Sequence, residues 1–516
     1  MALSDWSLGI PLLSSTTVLA ACLCFVITLP LLARFVPARK GQLPLPPGPK
    51  IPILGSLFYM PRKEEWKTMT AWKKQFGDVT HATIGTKSLI ILNSIDAVND
   101  LLEKRSAIYS DRPWLPLIDL IGHIDCDFGY MPYGKAWIAH RRLFSAQFTK
   151  SVLPAYYPSH RRAVLALLKN LRNDPEPFVD HLRLHSGQLI MDVTYGMQIS
   201  SSKDRLAVLG GAVMDAVSIA ITPIMWIINP VSFLQWIPSW LGGRNFARKV
   251  RGWQEDLHTL KHIPFNMVKS AIKSETAAPS FTARLLQEMD EQNPDPEQET
   301  LIMNCAAASY MGGSHTTLCV AHIFMLAMVL HPAVQSAAQA ELDRVVGALR
   351  LPDFGDRAEL PYIEAIVKEV LRWHPIAPQG VPHRLNEDDE YRGYRIPKGS
   401  IVIGNVWGIL HDPAIYADPQ EFKPERHLDD GENAAEMDPT RVAFGFGRRG
   451  CPGKAFAMDT LWLLVVQMLA VYRIDPVPGA PARAAFTSGG ITHPLDFKCA
   501  VRVRSENARA LLEEGA

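Results

Sequence analysis

The most informative segment of the chain spans residues 444–453 and reads Phe-Gly-Phe-Gly-Arg-Arg-Gly-Cys-Pro-Gly. Three glycines precede Cys451, and glycine lets a backbone turn tightly and approach a flat ligand closely. An apolar helix is predicted to begin near Pro452, where its free N–H groups would stabilise a Cys451 thiolate, with Arg449 adding positive charge. A thiolate held in such a loop is a suitable axial ligand for haem iron.

Two other interpretations of Cys451 are weaker. A single cysteine in a glycine-rich turn is usually a buried structural residue, but that role does not explain the ten-residue pattern. A zinc site would need a second cysteine or histidine at ligand spacing, and the sequence around Cys451 has none. The pattern therefore favours a haem-thiolate loop.

Length and composition limit the class of protein. The chain has 516 residues, of which 47% are hydrophobic and 20% are charged, and its net charge is +1. This composition excludes collagen-like, disordered and disulfide-scaffold proteins, and it lacks the basic excess of a nucleic-acid binder. The seven cysteines include no Cys-x-x-Cys pair and are typical of reduced thiols in a cytosol-facing protein.

The N-terminal end is predicted to span a membrane. The stretch Trp6–Ala33 has no charged residue and exceeds the roughly 20 apolar residues that a membrane-spanning helix needs. A cleavable signal peptide is the alternative, but the residues before the stretch carry Asp5 and no lysine or arginine. Basic residues after the stretch predict that the body stays cytosolic. We therefore expect a membrane anchor over residues 1–36, a basic and Pro-rich hinge over 37–52 and one large domain over 53–516.

A second uncharged stretch covers Ala216–Gly243 and is interrupted by Pro223, Pro230 and Pro238. Prolines and tryptophans at this density fit short interfacial helices that dip into lipid better than they fit a second membrane span.

The body is predicted to be mainly α with small β-sheets. Apolar residues recur at helical spacing in five segments, which are Asp180–Gly196, Glu299–Leu330, Ala333–Gly347, Pro361–Trp373 and Cys451–Tyr472. Strand-like segments are short, and they are Val79–Ile84, Leu89–Asn93, Tyr391–Ile396 and Ser400–Asn405.

Segment 444–453 resembles the haem signature of the cytochrome P450 family, Phe-x-x-Gly-x-Arg-x-Cys-x-Gly, and matches it at every fixed position. The resemblance implies the cytochrome P450 fold and a haem b cofactor with Cys451 as its proximal thiolate ligand. It implies that Arg449 pairs with a haem propionate. It also implies cofactor contacts from other residues of the segment, namely Phe444, Gly445 and Gly453.

Two more signatures of the family occur in the expected order. Glu369-Val370-Leu371-Arg372 matches Glu-x-x-Arg, and residues three apart on a helix can pair. Residues 424–427 resemble the family's Pro-Glu-Arg-Phe, with His427 in place of phenylalanine. By resemblance, Glu369, Arg372 and Arg426 form a buried charge network that supports the haem-binding core.

Other positions resemble haem-propionate ligands of the family. Trp137 and Arg141 match Trp-x-x-x-Arg, and the spacing of four places both side chains on one helical face. The resemblance implies that both reach a propionate, for which an arginine fork is well suited. His383 stands where many membrane-bound relatives place another propionate ligand.

Residues 312–317, Gly-Gly-Ser-His-Thr-Thr, resemble the oxygen-activation segment of the family, Ala/Gly-Gly-x-Asp/Glu-Thr-Thr. Adjacent glycines inside a helix cost about 1 kcal/mol each relative to alanine, so Gly312 and Gly313 are expected to leave space for a ligand. Thr316 matches the threonine that binds oxygen and delivers protons, although a helical threonine can also bond back to the carbonyl four residues earlier. The acidic position holds His315, so proton relay could persist with altered pH dependence, be lost, or follow another path.

The resemblance covers essentially the whole chain and implies a haem-thiolate monooxygenase that inserts one oxygen atom from O₂ into its substrate. No NADPH- or flavin-binding segment follows the haem loop, so electrons are expected from a separate NADPH–cytochrome P450 reductase, with cytochrome b5 as a second candidate donor. Arg448, Arg449 and Lys454 are a candidate basic face for that partner, although such charges are more often simply solvated. The expected location is the endoplasmic reticulum membrane, with a single anchor and a cytosolic catalytic domain.

Segments Asp389–Gly399 and Ala443–Gly453 resemble fungal microsomal members, many of which modify terpenoid or aromatic secondary metabolites. By resemblance, the pocket walls come from largely apolar segments, which are Leu115–Phe128, Ala216–Leu241, Tyr310 with Met311, Ile376–Val381 and Ser488–Ile491. A hydrophobic small-molecule substrate arriving from the membrane is therefore expected.

Two other functions stay open at this point. A haem-thiolate isomerase or dehydratase would need neither O₂ nor a reductase, and the departure at His315 is consistent with it. A membrane-tethered haem sensor would not be an enzyme at all. Thr316 and the propionate ligands favour ordinary oxygen chemistry.

Overall fold

The computed structural model describes residues 42–49, 56, 59, 63–84, 87–201, 203–221, 243–289, 295–429 and 435–514. These residues form a mainly helical body with small β-sheets, as the sequence predicted. The expected anchor over residues 1–36 lies outside the described residues, and so does most of the expected interfacial stretch 216–243. Of the predicted hinge, residues 42–49 are described, and they form neither helix nor strand.

The helices account for most of the described residues. In chain order the α-helices are α1 (Glu65–Phe76), α2 (Ile95–Val98), α3 (Ser106–Tyr109), α4 (Pro116–Leu120), α5 (Lys135–Gln147), α6 (Tyr157–Asn173), α7 (Phe178–Tyr195), α8 (Arg205–Ala220), α9 (Gly243–Lys273), α10 (Phe281–Gln287), α11 (Pro296–Leu330), α12 (Pro332–Val345), α13 (Pro361–Trp373), α14 (Val406–Leu410), α15 (Thr440–Ala443), α16 (Lys454–Val471) and α17 (Glu506–Glu514). Short 3₁₀ turns cover His123–Asp125, Leu153–Tyr156, Phe354–Glu359, Pro424–His427 and Gly447–Arg449, and a π-helical turn covers Asn99–Lys104.

The strands form three small sheets in the described part of the chain. They are β1 (Val79–Ile84), β2 (Lys87–Leu92), β3 (His383–Arg384), β4 (Asp389–Tyr391), β5 (Tyr394–Ile396), β6 (Ile401–Gly404), β7 (Tyr472–Pro476) and β8 (Cys499–Val503). The largest sheet has the order β1-β2-β6-β3, in which β2 and β6 are parallel and the other pairs antiparallel. His383 pairs with Val402 at its edge, which fixes the place of a predicted site residue.

The predicted strand Tyr391–Ile396 is a tight hairpin instead. Strands β4 and β5 pair antiparallel across Arg392 and Gly393, whose φ angles are 50° and 80°. Two consecutive positive φ angles are typical of the two-residue turns that match the twist of a hairpin. The expected single strand is therefore wrong, because Arg392 adopts the left-handed conformation that is rare for an arginine.

Helix α11 forms the centre of the core. It begins where the Asp295 carboxylate accepts a hydrogen bond from the Glu297 amide at 2.9 Å, with Pro296 as its first helical residue. Its side chains from Leu318 to Val329 are buried, and it packs against α7 on one side and α16 on another. Because α11 is apolar around its whole circumference, it must be surrounded by other elements.

Helices α11 and α16 are also long and apolar enough to cross a membrane, as judged by length and composition. Within the described residues, 67% of the most apolar window of α11 and 78% of that of α16 are buried inside the protein. Both therefore serve as core helices.

Candidate active site

A cavity of about 350 Å³ lies between α11 and segment 444–453. Parts of α5, β3 and the chain from Pro375 to Val381 complete its walls. Most of the predicted site residues line it, namely Trp137, Arg141, Gly312, Gly313, Thr316, His383, Phe444, Gly445, Arg449, Cys451 and Gly453. His315 is not among the lining residues. The structure thus brings together residues from segments that are far apart in the sequence.

A tight loop presents Cys451 to this cavity. Gly445 and Gly447 have φ angles of 75° and 55°, in the left-handed region that favours glycine. A Cβ atom at Gly447 would lie 2.1 Å from the carbonyl oxygen of Leu102, so a larger residue would collide with backbone. The Cys451 amide donates a hydrogen bond to the Phe444 carbonyl at 2.7 Å, which closes the loop with the thiol accessible from the cavity.

The acid–base state of Cys451 differs from the prediction. Helix α16 begins at Lys454 with Gly453 as its N-cap, close to the predicted start, and the Gly453 amide donates a hydrogen bond to the thiol. Burial raises the pKa of Cys451, and the Gly453 amide and the charges of Arg141 and Lys454 oppose that shift without cancelling it. The expected stabilisation of the thiolate by the helix N-terminus is present at Gly453, whereas Arg141 and Lys454 rather than Arg449 supply the positive charge, and burial outweighs these contributions for the thiol alone. Bound iron would supply the missing stabilisation, since a coordinating thiol is deprotonated by its metal.

Three arginines line the cavity: Arg112 and Arg449 are buried, and Arg141 is half-buried. Arg449 donates hydrogen bonds to three backbone carbonyl oxygens at 2.7, 2.9 and 2.7 Å, and its guanidinium lies 4.5 Å from the centre of the Trp137 ring. Arg112 also donates to three carbonyl oxygens, at 2.8, 2.9 and 2.7 Å. Arg141 donates to the Gly450 carbonyl at 2.6 Å. These contacts fix the guanidinium planes but neutralise no charge.

Sequence reasoning missed Arg112. It stands alone between Asp111 and Pro113 in a segment without helical or strand periodicity, where an arginine usually belongs to a solvated loop. Only the fold shows that it lies beside Arg449, because its backbone partners include Val381 and Pro382, more than 260 positions away in the sequence.

The arginine cluster has no carboxylate partner among the described residues. None of its three members forms a salt bridge there. Burial and the neighbouring Arg112 and Arg141 guanidiniums lower the pKa of Arg449 to about 8, and the more distant Asp111 carboxylate opposes that shift without cancelling it. Burial also lowers the pKa of His383 to about 3, and its Nδ1 lies 2.8 Å from the Tyr109 carbonyl oxygen. Buried cations without an anion are costly, so the cavity is suited to a ligand that carries carboxylates.

These features fit haem. A thiol on one wall suits an axial ligand of iron, and the three arginines suit two propionates. The Cβ of an alanine at position 312 would meet no atom within 4 Å, so α11 leaves room for a flat ligand at Gly312. Gly313 has a different role, since a Cβ there would lie 2.7 Å from Cδ1 of Ile190 on α7.

Thr316 faces the cavity one turn after Gly312. Its hydroxyl donates a hydrogen bond to the Gly312 carbonyl at 2.5 Å, the local contact that a helical threonine can make. His315 is half-buried and lies outside the cavity lining. The hydroxyl is thus placed at the cavity, whereas the imidazole is not.

The charge network around Glu369 is assembled away from the cavity. Arg372 donates two hydrogen bonds to the Glu369 carboxylate at 2.7 and 2.8 Å, and Arg426 approaches it at 3.3 Å. Arg426 also pairs with Glu436 at 2.9 Å, so two carboxylates balance two guanidiniums. His427 Nε2 lies 2.9 Å from Glu369 Oε2, which gives the departure at position 427 a structural role.

The expected pocket walls are only partly right. Tyr310 and Met311 are buried against other helices and do not line the cavity, whereas Ala308 and Ser309 do. The Tyr310 hydroxyl donates to the Leu206 carbonyl at 3.0 Å, which turns its ring toward α8. Of the other expected walls, the lining includes Asp127, Phe128, Ile221, Ile376, Ala377, Gly380, Val381, Gly490 and Ile491.

Comparison with known proteins gives a consistent result. The family model described as cytochrome P450 matches residues 45–500. Cytochrome P450 monooxygenase 208 of Postia placenta is 37% identical over 480 residues, which cover 92% of this chain and 93% of that protein. Cytochrome P450 monooxygenase claR of Ampulloclitocybe clavipes is 38% identical over 497 residues, or 94% and 91% of the two chains. Cytochrome P450 monooxygenase COX2 of Coprinopsis cinerea is 37% identical over 511 residues, or 97% of each.

Proposed function

The chain belongs to the cytochrome P450 family, an oxidoreductase family that uses haem with an axial cysteine thiolate, and we propose that it inserts one oxygen atom from O₂ into an apolar small molecule. In this proposal Cys451 is the axial ligand, and electrons come from NADPH through a separate reductase. The observation that carries it is one cavity whose walls hold the Cys451 thiol, the Thr316 hydroxyl and three arginines that form no salt bridge within the described residues.

When bound, haem supplies the activation of O₂ and the cleavage of the O–O bond. The chain's own residues hold and orient it. Arg112, Arg141 and Arg449 would pair with the propionates, and the carbonyl contacts behind Arg112 and Arg449 keep both guanidinium planes in place. The Gly453 amide and the Arg141 charge favour the thiolate form of Cys451.

Thr316 is proposed to hold and pass a proton beside the reacting oxygen. Its hydroxyl is anchored to the Gly312 carbonyl, so its oxygen keeps one position at the cavity wall. His315 stands outside the lining, so its imidazole does not face the cavity as the Thr316 hydroxyl does. This arrangement favours oxygen chemistry over an O₂-independent isomerase or dehydratase.

The lining supports a neutral, hydrophobic substrate. Beyond the arginine cluster, the wall consists mainly of small and aliphatic side chains such as Ala308, Ile376 and Ile491. Such a surface binds through burial of apolar area and offers few directional contacts. A terpenoid or an aromatic secondary metabolite fits this description.

The proposed electron donor is NADPH–cytochrome P450 reductase, with cytochrome b5 as a second donor. Of the three basic residues expected at the docking face, only Arg448 is exposed. Arg449 is buried against carbonyl oxygens, and Lys454 is half-buried and donates to the Thr440 carbonyl at 2.8 Å. A partner attracted by charge would therefore meet Arg448 rather than the predicted triplet.

The proposed location is the endoplasmic reticulum membrane. In that proposal residues 1–36 anchor the chain, residues 37–52 act as a hinge, and residues 53–516 form the cytosolic haem domain. The apolar stretch Trp6–Ala33 and the basic residues after it support this orientation.

The first test is a reduced carbon monoxide difference spectrum of membranes that contain the full-length chain. A band at about 450 nm is expected for thiolate-bound haem, and Cys451→Ala should abolish it. Retention of the band in that variant would refute the ligand assignment. NADPH consumption with purified reductase then separates the monooxygenase from an isomerase, a dehydratase or a haem sensor, none of which would use NADPH.

A further inference from the structure

Two histidines lie one turn apart in the middle of α9, on the side of the helix that faces away from the core. His258 is exposed and His262 is half-buried, and their spacing of four residues places both rings on one helical face. The rings are adjacent, with centres 4.3 Å apart and planes inclined by 32°. Two imidazoles at this spacing can each offer a ring nitrogen to one metal ion, as the histidines of helical His-Glu-x-x-His zinc sites do.

The backbone that carries the pair is held in place by the opposite face of α9. Leu257, Leu260 and Phe265 are buried in a hydrophobic cluster that α9 shares with α11. An ion that binds to His258 and His262 therefore orders two side chains and no backbone. A site on an anchored helix is largely preorganised, which lowers the entropic cost of binding.

The distance between the rings indicates which ions fit. With a metal–nitrogen bond of about 2.0 Å, a ring centre lies about 3.2 Å from the metal, so two rings at a right angle around it have centres about 4.5 Å apart, and rings at the tetrahedral angle about 5.2 Å apart. The observed 4.3 Å matches the right angle. Right angles between ligands are typical of tetragonal Cu²⁺ and Ni²⁺ sites, whereas Zn²⁺ sites are mostly tetrahedral.

The spacing alone does not make such a site, as a second pair shows. His181 and His185 on α7 are also four residues apart, but His181 Nε2 lies 2.7 Å from the Asp174 carbonyl oxygen and His185 is buried. One ring nitrogen is thus engaged and the other ring is closed to solvent. The rings of His258 and His262, in contrast, form no hydrogen bond with another described residue, so a nitrogen of each is available.

We propose that His258 and His262 bind a divalent transition-metal ion, and that Cu²⁺ is the ion they bind most tightly. Cu²⁺ stands highest in the affinity order of the first-row divalent ions and accepts tetragonal coordination by nitrogen and oxygen. Among the described residues no group of three histidines, cysteines or carboxylates could hold a metal ion, so water fills the other positions around the copper. The bound ion joins two successive turns of α9.

The test uses the haem-loaded full chain, dialysed against Cu²⁺ and analysed for bound copper. The wild type should bind one more copper ion than the double variant His258→Ala, His262→Ala, and the difference between their electron paramagnetic resonance spectra should be a tetragonal Cu²⁺ signal with two nitrogen ligands. Each single variant should lose at least about tenfold in affinity, because the second imidazole binds an ion that the first already holds. Lys261→Gln should bind copper more tightly, since the Lys261 charge acts on His262 and opposes a bound cation.

The matched control is His181→Ala, which removes one histidine of the α7 pair and should keep the additional copper ion and its signal. Equal copper content and equal spectra in the wild type and the double variant would overturn the proposal, as would displacement of the copper by an equal concentration of Zn²⁺. A reduced carbon monoxide band at about 450 nm shows that each variant keeps its haem site. Because the pair lies outside the cavity lining, absence of that band in the wild type would refute the proposed function and leave the copper result intact.

Discussion

Glu369 and Arg372, one turn apart on α13, are joined by two parallel hydrogen bonds of 2.7 and 2.8 Å, and neither side chain has exposed surface. Arg372 also donates to three backbone carbonyl oxygens, so its guanidinium ties α13 to the following loops. Arg372→Ala would leave the Glu369 charge without its main partner. We expect a loss of about 3–5 kcal/mol in the free energy of unfolding, measured by urea denaturation of the haem-loaded protein.

Arg350→Ala is the control for that loss. Arg350 makes a similar two-pronged contact with Asp356, at 2.7 and 2.6 Å, but its side chain is 53% exposed. Solvent screens such a pair, so the expected cost is about 1 kcal/mol or less. Equal losses in the two variants would contradict the claim that burial makes the Glu369 network important.

His427→Phe should make the protein more sensitive to acid. Burial would raise the pKa of Glu369, but hydrogen bonds from His427 and Arg372 outweigh it and lower that pKa. A carboxyl group whose pKa is lower in the folded protein than in the unfolded chain stabilises the fold. That stability is fully present above the pKa of the unfolded chain, about 4.3, and is lost as the pH falls through the pKa of the folded protein. Without His427 the folded pKa is higher, so the loss begins at a higher pH.

The measurement is the unfolding midpoint in an acid titration followed by circular dichroism. At neutral pH the cost should be only about 1 kcal/mol, because Glu369 keeps its other hydrogen bonds. His181→Phe alters a half-buried imidazole at the protein surface that lies 2.7 Å from the Asp174 carbonyl oxygen and has no contact with Glu369, and it should leave the midpoint unchanged. An unchanged midpoint in His427→Phe would show that the imidazole does not act on Glu369.

His322→Phe should reduce the pH dependence of stability above the range of the carboxylates. Burial lowers the pKa of His322 to about 4, and the nearby His493 and Arg183 charges act in the same direction. The folded state thus keeps this imidazole neutral, while the unfolded chain binds a proton below about pH 6.5. Stability is therefore lost as the pH falls from about 6.5 toward 4, by about 2 kcal/mol at pH 5.

The phenylalanine variant removes that penalty and fits the site, since the His322 ring already stacks on Phe497 at 5.2 Å and contacts Phe178. It also removes Nε2, a buried nitrogen without a hydrogen-bond partner in the described structure. Urea denaturation at pH 7 and pH 5 should show a smaller difference in the variant than in the wild type. An equal difference would mean that His322 does not titrate on unfolding.

The glycines of α11 should respond differently to alanine. Gly312→Ala adds a methyl group that meets no atom within 4 Å, so it should stabilise the helix by up to about 1 kcal/mol while it weakens haem retention. Gly313→Ala places Cβ 2.7 Å from Ile190 Cδ1 and should destabilise the protein by about 1–3 kcal/mol. Ile190→Ala removes both contacting atoms, Cδ1 and the Cγ1 that would lie 2.8 Å from the new Cβ, and should therefore cost less stability in the Gly313→Ala background than in the wild type. Thermal unfolding and haem content measure both effects, and an equal cost in the two backgrounds would exclude the Ile190 contact as the cause.

Local sequence signals predicted the loop and several helices well. Helix α13 has the predicted bounds, Pro361–Trp373. Its amphipathic pattern defines the face that is buried, and Pro361 marks the first helical residue. Segment 444–453 could be predicted because glycines at fixed positions encode a backbone conformation directly. The glycine φ angles and the Phe444 contact confirm that loop.

Other features depend on tertiary contacts that no local pattern carries. The side of α11 that faces the cavity could not be chosen, because a helix that is apolar all round has no preferred face, and Tyr310 was wrongly placed on the wall. Arg112 was missed because its role comes from chain segments far away in the sequence. The contact of His427 with Glu369 likewise requires the 3₁₀ turn Pro424–His427 to pack on α13.

Thr316→Val is the most direct test of proton delivery at the cavity. The substitution keeps the branched shape of the side chain but removes the hydroxyl that donates to the Gly312 carbonyl at 2.5 Å. Positioned acid–base groups contribute about 10²–10⁴-fold to a rate, so substrate oxidation should fall by at least about tenfold. With purified reductase, more of the consumed NADPH should appear as hydrogen peroxide.

Four further variants test whether the Thr316 hydroxyl itself is responsible. Thr316→Ser keeps the hydroxyl and should stay close to the wild type, while Thr317→Val alters a neighbouring lining residue and should not raise the peroxide yield.

His315→Asp restores the acid that the family usually carries at this position, and we expect it to lower the peroxide fraction. In the proposed route protons pass through Thr316, so the effect should disappear in the His315→Asp, Thr316→Val double variant. A decrease that persists in the double variant would show that protons reach the haem by a route independent of Thr316.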